Sequence, residues 1–121
     1  MTVLAVMLAG AFGAVARFVV DGAMKRRVST TYPWATLTIN VTGSLLLGVL
    51  AGLVIFHSAP DDLKAIIGTG FCGGYTTFST ASFETARLTQ GNRLRALAYV
   101  LMSVLGSVIG CAAGLVLAWV V

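Results

Sequence analysis

The chain has 121 residues, of which 58% are hydrophobic and 10% are charged, and its mean hydropathy is +0.95. A water-soluble domain carries about 25% charged residues to cover its surface. The composition therefore excludes an ordinary soluble domain and predicts an all-α membrane protein, with residues 1–121 forming a single domain in the lipid bilayer. We interpret the net charge of +4 as a signal of membrane orientation and expect no nucleic-acid partner.

Four apolar segments are predicted to cross the membrane, because about 20 apolar residues span its hydrocarbon core. Their approximate bounds are 2–21, 34–57, 63–89 and 95–121. Short loops make successive helices antiparallel, which predicts a compact four-helix bundle. Close helix packing is indicated by glycines at four-residue spacing, namely Gly48, Gly52, Gly106, Gly110 and Gly114.

Basic residues are distributed unevenly between the predicted loops. The first and third loops, on one side of the membrane, carry Lys25, Arg26, Arg27, Arg87, Arg93 and Arg95. The opposite side carries Lys64 alone. Because lysine and arginine accumulate in cytoplasmic loops, we expect a multi-pass protein of a bacterial inner membrane with both termini outside the cytoplasm.

The third segment contains a stretch that is poorly suited to a continuous helix. Gly73 and Gly74 are adjacent and are followed by Thr76 and Thr77, which predicts a break in the helix at the two glycines. A broken helix at membrane depth exposes carbonyl groups, and transporters use such carbonyls to bind Na⁺. The alternative is a simple kink whose carbonyls are satisfied by neighbouring hydroxyls.

Polar side chains recur at four-residue spacing on two other segments, so each set shares one helix face. The sets are Thr36, Asn40 and Ser44 in the second segment, and Tyr99, Ser103 and Ser107 in the fourth. A row of hydrogen-bond donors through a membrane suits a small anion that loses its water. The alternative is that these groups only join helices to one another.

Three further side chains are candidates for function. Glu84 and Arg17 are ionisable residues within predicted spans, and such residues are functional hypotheses by default, although an arginine can also extend to the interface. Phe78 follows the threonine pair, and the positive edge of its ring can contact an anion. Ordinary helix packing is the alternative for Phe78.

Residues 70–80, Gly-Phe-Cys-Gly-Gly-Tyr-Thr-Thr-Phe-Ser-Thr, resemble the signature of the Fluc/CrcB fluoride channel family. Asn40 with Gly43, Glu84 after the signature, and the polar row of the fourth segment resemble the same family. The resemblance covers nearly the whole chain, from Gly13 and Arg17 onward. It implies a fluoride-specific channel, not an enzyme, that passively exports toxic fluoride from the cytoplasm. It also implies an antiparallel dimer around a structural Na⁺ that is not transported.

The same resemblance implies roles for individual residues. The carbonyls of Gly73 and Thr76 would hold the Na⁺, together with the same pair from the second subunit. Asn40 and Phe78 would line a pore, and Arg17 would lie in a vestibule or at the interface. The polar track of the anion would consist of Tyr99, Ser103, Ser107 and Glu84.

The sequence departs from the family pattern at one position. The family usually has a second phenylalanine three residues after the first, whereas this chain has Ala81 there and a phenylalanine at Phe83. Helix positions 81 and 83 are about 200° apart, so Phe83 cannot replace the missing ring. The partner in the dimer is expected to be either an identical chain or an oppositely oriented homologue, and the missing ring favours the homologue.

Two other classes of protein remain as alternatives. A proton-coupled exporter of the small multidrug resistance type also has four helices, but it needs a carboxylate within the first helix, where this chain has Arg17 and Asp21. A non-transporting scaffold subunit would need neither the broken helix nor the two polar rows. Fluoride flux separates all three.

Overall fold

The computed structural model describes residues 1–28 and 32–121, which form helices joined by short connections. We number the helices α1 to α5 in chain order. They are α1 (Thr2–Arg27), α2 (Trp34–His57), α3 (61–75), α4 (Ser79–Gly91) and α5 (Arg93–Val120). The third transmembrane segment is broken and consists of α3 and α4. The fold is therefore the expected all-α arrangement of four segments.

Three of these helices, α1, α2 and α5, are long and apolar enough to cross a membrane. Most of their large apolar side chains are exposed, for example Phe12 and Phe18 on α1 and Ile109 on α5. Lipid is the solvent that accommodates such a surface, because a soluble monomer rarely exposes a continuous apolar area of this extent. The chain is therefore an integral membrane protein.

The first helix is longer than the sequence predicts. The sequence predicts that the helix ends at about residue 21 and is followed by a loop, whereas α1 continues to Arg27. Lys25 and Asp21 form an ion pair of 3.1 Å one helical turn apart, and the basic residues of the last turn interact favourably with the helix dipole. Residues 29–31 of the predicted loop lie outside the described part of the chain.

Glycines bring α2 and α5 into close contact. A methyl group added at Gly48 would meet the backbone of Cys111, and one added at Gly114 would meet the backbone of Leu45. This confirms the close packing that the glycine spacing predicts. It also leaves α2 and α5 as a tightly joined pair that can carry the polar rows at a fixed separation.

Glycines also bring α1 against α3. A methyl group at Gly13 would meet the backbone at Phe71 and Tyr75, and one at Gly74 would meet the backbone of Gly10. The end of α3 therefore lies directly against α1. This contact places the α3–α4 junction within reach of side chains from α1.

Candidate functional site

The third transmembrane segment breaks after Tyr75, not at the two glycines. Gly73 has ordinary helical angles, with φ −62° and ψ −38°, whereas Thr76 is extended, with φ −79° and ψ 162°. The predicted position at Gly73-Gly74 is therefore wrong by a few residues. Gly74 serves the close contact with α1, and the helix ends at the β-branched Thr76 and Thr77 instead.

Asn40 of α2 holds the broken backbone through two hydrogen bonds. Its Nδ2 donates to the carbonyl of Thr77 at 2.9 Å, and its Oδ1 accepts from the amide of Thr77 at 2.9 Å. Gly43, one turn further along α2, allows this approach, because a methyl group there would meet Thr76. The Asn40 side chain thus takes the place of helical hydrogen bonds at the break.

The carbonyls of Gly73 and Thr76, which are expected to bind Na⁺, are released from the helix: neither accepts a hydrogen bond from the amide four residues later. The amide of Thr77, which would bond Gly73 in a continuing helix, donates to Asn40. The amide of Thr80, which would bond Thr76, donates to Thr77 Oγ1 at 3.1 Å. Both carbonyl oxygens are neutral, hard donors, and neutral carbonyls suit a small monovalent cation.

Arg17 contacts this junction from the opposite side. It lies one turn beyond Gly13, where α1 touches α3, and is half-buried. Its Nη1 donates to the carbonyl of Thr76 at 3.3 Å. A guanidinium group therefore rests on one of the two released carbonyl oxygens.

An open groove of about 930 Å³ runs between α2, the α3–α4 junction and α5. It brings together most of the residues that the sequence analysis selects. Its lining includes Asn40, Ser44, Gly73, Thr76, Phe78, Tyr99, Ser103 and Ser107. The two polar rows, which are separate in sequence, therefore face one shared space, except for Thr36, which lines a neighbouring cavity.

Two hydroxyl groups in this groove are buried. Within the described residues, Tyr99 Oη and Ser103 Oγ are buried without a well-formed hydrogen bond, although the hydroxyl of Tyr99 lies near the side chains of Ser103 and Thr36. A buried hydroxyl without a partner costs about 1–3 kcal/mol. These donors, one helical turn apart on α5, are therefore suited to a further ligand, such as a water molecule, an anion or a group from another chain.

Glu84 lies in an adjoining cavity and not among the groove-lining residues. This cavity of about 530 Å³ is lined by Glu84, Arg87, Lys25 and Thr36, among others. The carboxylate is buried and bonds Arg87 Nη2 at 3.0 Å. Glu84 is thus an ion-paired group close to the Tyr99 end of the polar row.

The basic residues that the sequence predicts in the first and third loops lie in the ends of helices and meet at one end of the bundle. Lys25 of α1 and Arg87 of α4 line the same cavity, and Arg87 and Arg95 line the next one. We call this the basic end, comprising Lys25, Arg26, Arg27, Arg87, Arg93 and Arg95. Arg95 also lies over the ring of Tyr32, 5.4 Å from its centre.

The phenylalanine of the signature projects from the molecule. The side chain of Phe78 is 88% exposed and forms one edge of the groove. Ala81 also lines the groove, whereas Phe83 is not among the lining residues. The structure therefore agrees that Phe83 does not occupy the place of a ring at position 81.

Sequence reasoning missed two features of the site. The residues before the break, Lys64–Cys72, form a π-helix, which has wider turns than an α-helix and often occurs at functional sites. Thr77 contributes its backbone rather than its side chain to the contact with Asn40. Neither feature has a sequence signal beyond the glycine and threonine content of the stretch.

The fold and the groove together define the chain as a small membrane protein with a donor-lined path beside a broken helix. A family model described as "CrcB-like protein, Camphor Resistance (CrcB)" matches residues 4–115. The chain belongs to this family, whose similar curated members are named ion channels and not enzymes.

Curated relatives cover most of the chain. A protein of Cutibacterium acnes named fluoride-specific ion channel FluC 2 is 47% identical over 120 residues, which is 94% of this chain and 98% of the relative. FluC 1 of Leifsonia xyli is 52% identical over 79% of this chain and 70% of its own length. FluC of Rhodospirillum centenum is 46% identical over 95% and 93%, respectively.

Proposed function

We propose that this protein is a fluoride channel that lets the anion leave the cytoplasm down its electrochemical gradient. The observation that carries the proposal is the groove with its two buried hydroxyls, Tyr99 and Ser103, which have no well-formed hydrogen bond within the described residues. Fluoride is a small, strong hydrogen-bond acceptor, so closely spaced hydroxyl donors can replace its water. Relatives at 42–52% identity carry the name fluoride-specific ion channel, which supports the same anion.

The path of the anion follows the face of α5. Tyr99, Ser103 and Ser107 cover a rise of about 12 Å along that helix. Glu84, beside Tyr99 at the basic end, would mark the end of this track. No side chain of the row carries a fixed positive charge, so the anion is bound weakly enough to move on.

The polar groups of the groove must be shielded from lipid, and we propose that a second subunit in antiparallel orientation covers them. Lipid cannot satisfy the polar groups at Gly73 and Thr76 or the hydroxyls of α5. An inverted copy, or an inverted homologue, would bring a second set of the same groups against the first. In the membrane of a bacterium, with the basic end in the cytoplasm, both termini of this chain would lie outside.

We also propose a structural Na⁺ between the subunits. The two released carbonyls of Gly73 and Thr76 fit such an ion, because they are neutral oxygen donors. No cluster of three or more acidic, histidine or cysteine side chains occurs in the described ranges 1–28 and 32–121, so carbonyl oxygens are the suitable ligands. Two carbonyls from each subunit would supply the four ligands. The ion would stabilise the assembly and would not be transported.

Ion flux from liposomes tests the proposed function. Vesicles that contain the assembled antiparallel dimer, loaded with KF and diluted into fluoride-free buffer, should release fluoride when valinomycin allows K⁺ to leave, as measured by a fluoride electrode. KCl-loaded vesicles should release little chloride. A multidrug exporter would instead respond to a proton gradient, and a scaffold subunit would give no flux. Absence of fluoride flux from every assembled form of the protein would refute the channel.

Removal of Na⁺ is expected to weaken the assembly rather than to change the driving force. Protein transferred for days into buffer with N-methyl-D-glucamine should lose most of its dimer on size exclusion and most of its fluoride flux. Re-addition of Na⁺ should restore both. Flux that is indifferent to prolonged removal of Na⁺ would contradict the cation site while leaving the channel itself untouched.

Phe78→Ile is expected to lower fluoride flux at least tenfold, because it removes the ring edge at the border of the groove. Within a single subunit the free energy of unfolding should change by less than about 0.5 kcal/mol, since the side chain is 88% exposed there. Phe83→Ile is the matched control, because Phe83 lies in the α4 helix that directly follows Phe78 and is also exposed. Equal flux in the two variants would remove Phe78 from the pore.

A further inference from the structure

The contact between Arg17 and the α3–α4 junction has a consequence for the cation site. The guanidinium lies 3.3 Å from the carbonyl oxygen of Thr76, the same oxygen that the proposed Na⁺ would use. The contact is built by the fold, because Gly13 holds α1 against the backbone at Phe71 and Tyr75. One turn later, Arg17 extends across the end of α3.

The electrostatics of the helix end favour a cation at this point. Thr76 directly follows the last residue of α3, and the carboxyl end of a helix carries a partial negative charge. Its carbonyl is not bonded by Thr80, whose amide donates to Thr77. The carbonyl therefore accepts from a positive group, and Arg17 supplies one from within the chain.

We propose that Arg17 and Na⁺ are alternative cations at the Thr76 carbonyl. This inference rests on the proposed cation site. Two positive charges that share one oxygen lie within about 5 Å of each other, where their repulsion is not fully screened. Arg17 occupies the carbonyl when Na⁺ is absent and withdraws when Na⁺ binds. The charge of Arg17 therefore lowers the affinity of the site for Na⁺. When Na⁺ is absent, the same guanidinium group preserves the shape of the break.

Arg17→Gln tests this inference by a binding measurement. Thermal unfolding of the assembled protein would be followed across a range of Na⁺ concentrations, with N-methyl-D-glucamine keeping the ionic strength constant. The variant should be less stable than the wild type without Na⁺. The Na⁺ concentration that gives half of the stabilisation should fall about tenfold or more, because the competing charge is gone.

Two further variants separate charge from packing. Arg27→Gln removes the same charge from an exposed position on the same helix and should leave the Na⁺ dependence unchanged. Arg17→Lys keeps the charge and should remain within about threefold of the wild type. An Arg17→Gln protein that needs as much Na⁺ as the wild type, or more, would overturn the inference. A matching shift in Arg17→Lys would overturn it too.

A second measurement uses the wild-type protein, in case Arg17→Gln does not fold. Phenylglyoxal modifies accessible arginines, and its extent at each site can be read by mass spectrometry. Na⁺ should raise modification of Arg17 severalfold, with Arg27 as the internal reference. Unchanged or reduced modification of Arg17 would refute the exchange. If Na⁺ affects none of the proteins, the cation site fails together with this inference, and fluoride flux from the same samples judges the channel separately.

Discussion

Asn40→Leu is expected to abolish fluoride efflux, with a decrease of about hundredfold or more. Leucine has a similar volume but offers no donor to the anion and no partner to Thr77. The amide and carbonyl of Thr77 each lose a 2.9 Å hydrogen bond at a position that is 8% exposed. A barrier raised by about 3 kcal/mol is enough for a hundredfold decrease in rate. Fluoride flux from liposomes measures this directly.

The free energy of unfolding of Asn40→Leu reports the loss of the contacts with Thr77. Loss of both partners of Thr77 should lower the free energy of unfolding by about 2 kcal/mol, while the protein still assembles and can be extracted. Thr42→Val is the matched control on α2, since it removes a 3.1 Å contact to Tyr75 Oη and leaves the groove unchanged. Wild-type flux in Asn40→Leu would exclude Asn40 from the anion path, and an unchanged free energy of unfolding would show that its contacts with Thr77 do not stabilise the break.

Asn40→Asp separates the two roles of this residue. The carboxylate can still accept from the amide of Thr77, but it cannot donate to the Thr77 carbonyl or to an anion. Its negative charge also opposes fluoride. This variant should therefore be as inactive as Asn40→Leu. Its free energy of unfolding should decrease by less than that of Asn40→Leu. The comparison shows how far the anion path and the break depend on one side chain.

The sequence predicts the membrane class and the packing of the helices well, because these depend on properties that repeat along the chain. Apolar length identifies α1, α2 and α5 as spanning helices. Four-residue spacing brings Tyr99, Ser103 and Ser107 to one face, and the structure places that face in the groove. Both signals are periodic, so they persist whatever the tertiary contacts are.

The position of the break depends on tertiary contacts and is predicted less well. Glycine propensity alone suggests Gly73-Gly74, but both residues are helical, and Gly74 is needed where α3 touches Gly10. The helix ends where Asn40, distant in sequence, captures the backbone of Thr77. No local pattern contains that information, and the same holds for the contact of Arg17 with Thr76.

The last prediction concerns the partner of this chain. In a homodimer of antiparallel subunits, each copy must insert in both orientations, which requires nearly balanced loop charges. This chain instead gathers Lys25, Arg26, Arg27, Arg87, Arg93 and Arg95 at the basic end, against Lys64 in the first turn of α3 on the opposite side. Nearly every copy should therefore insert in the same orientation, and an antiparallel dimer then requires a homologue of opposite bias.

The missing ring supports the same conclusion. Ala81 lines the groove beside Phe78, and Phe83 does not take its place there. If each pore uses one ring from each subunit, a homodimer offers Phe78 but no ring at position 81. A partner with both rings would complete one pore and leave the other incomplete. The charge bias and the missing ring are independent features, and both point to a heterodimer.

This prediction can be tested by expressing the chain in cells that lack their own fluoride exporters. In such cells the membrane topology of the chain is set during synthesis, and no detergent step disturbs it. The chain alone should give little or no growth in fluoride, and co-expression with the oppositely biased homologue should restore growth. Replacing the exposed Arg26, Arg27 and Arg93 with glutamine should allow insertion in both orientations, as reporters fused to the C-terminus would show. Growth should then improve further when Ala81→Phe is added. The glutamine substitutions would supply inverted copies for an antiparallel homodimer, and Ala81→Phe would supply the missing ring in each pore. Full fluoride resistance from the unmodified chain alone, with its C-terminus on both membrane faces, would refute the heterodimer.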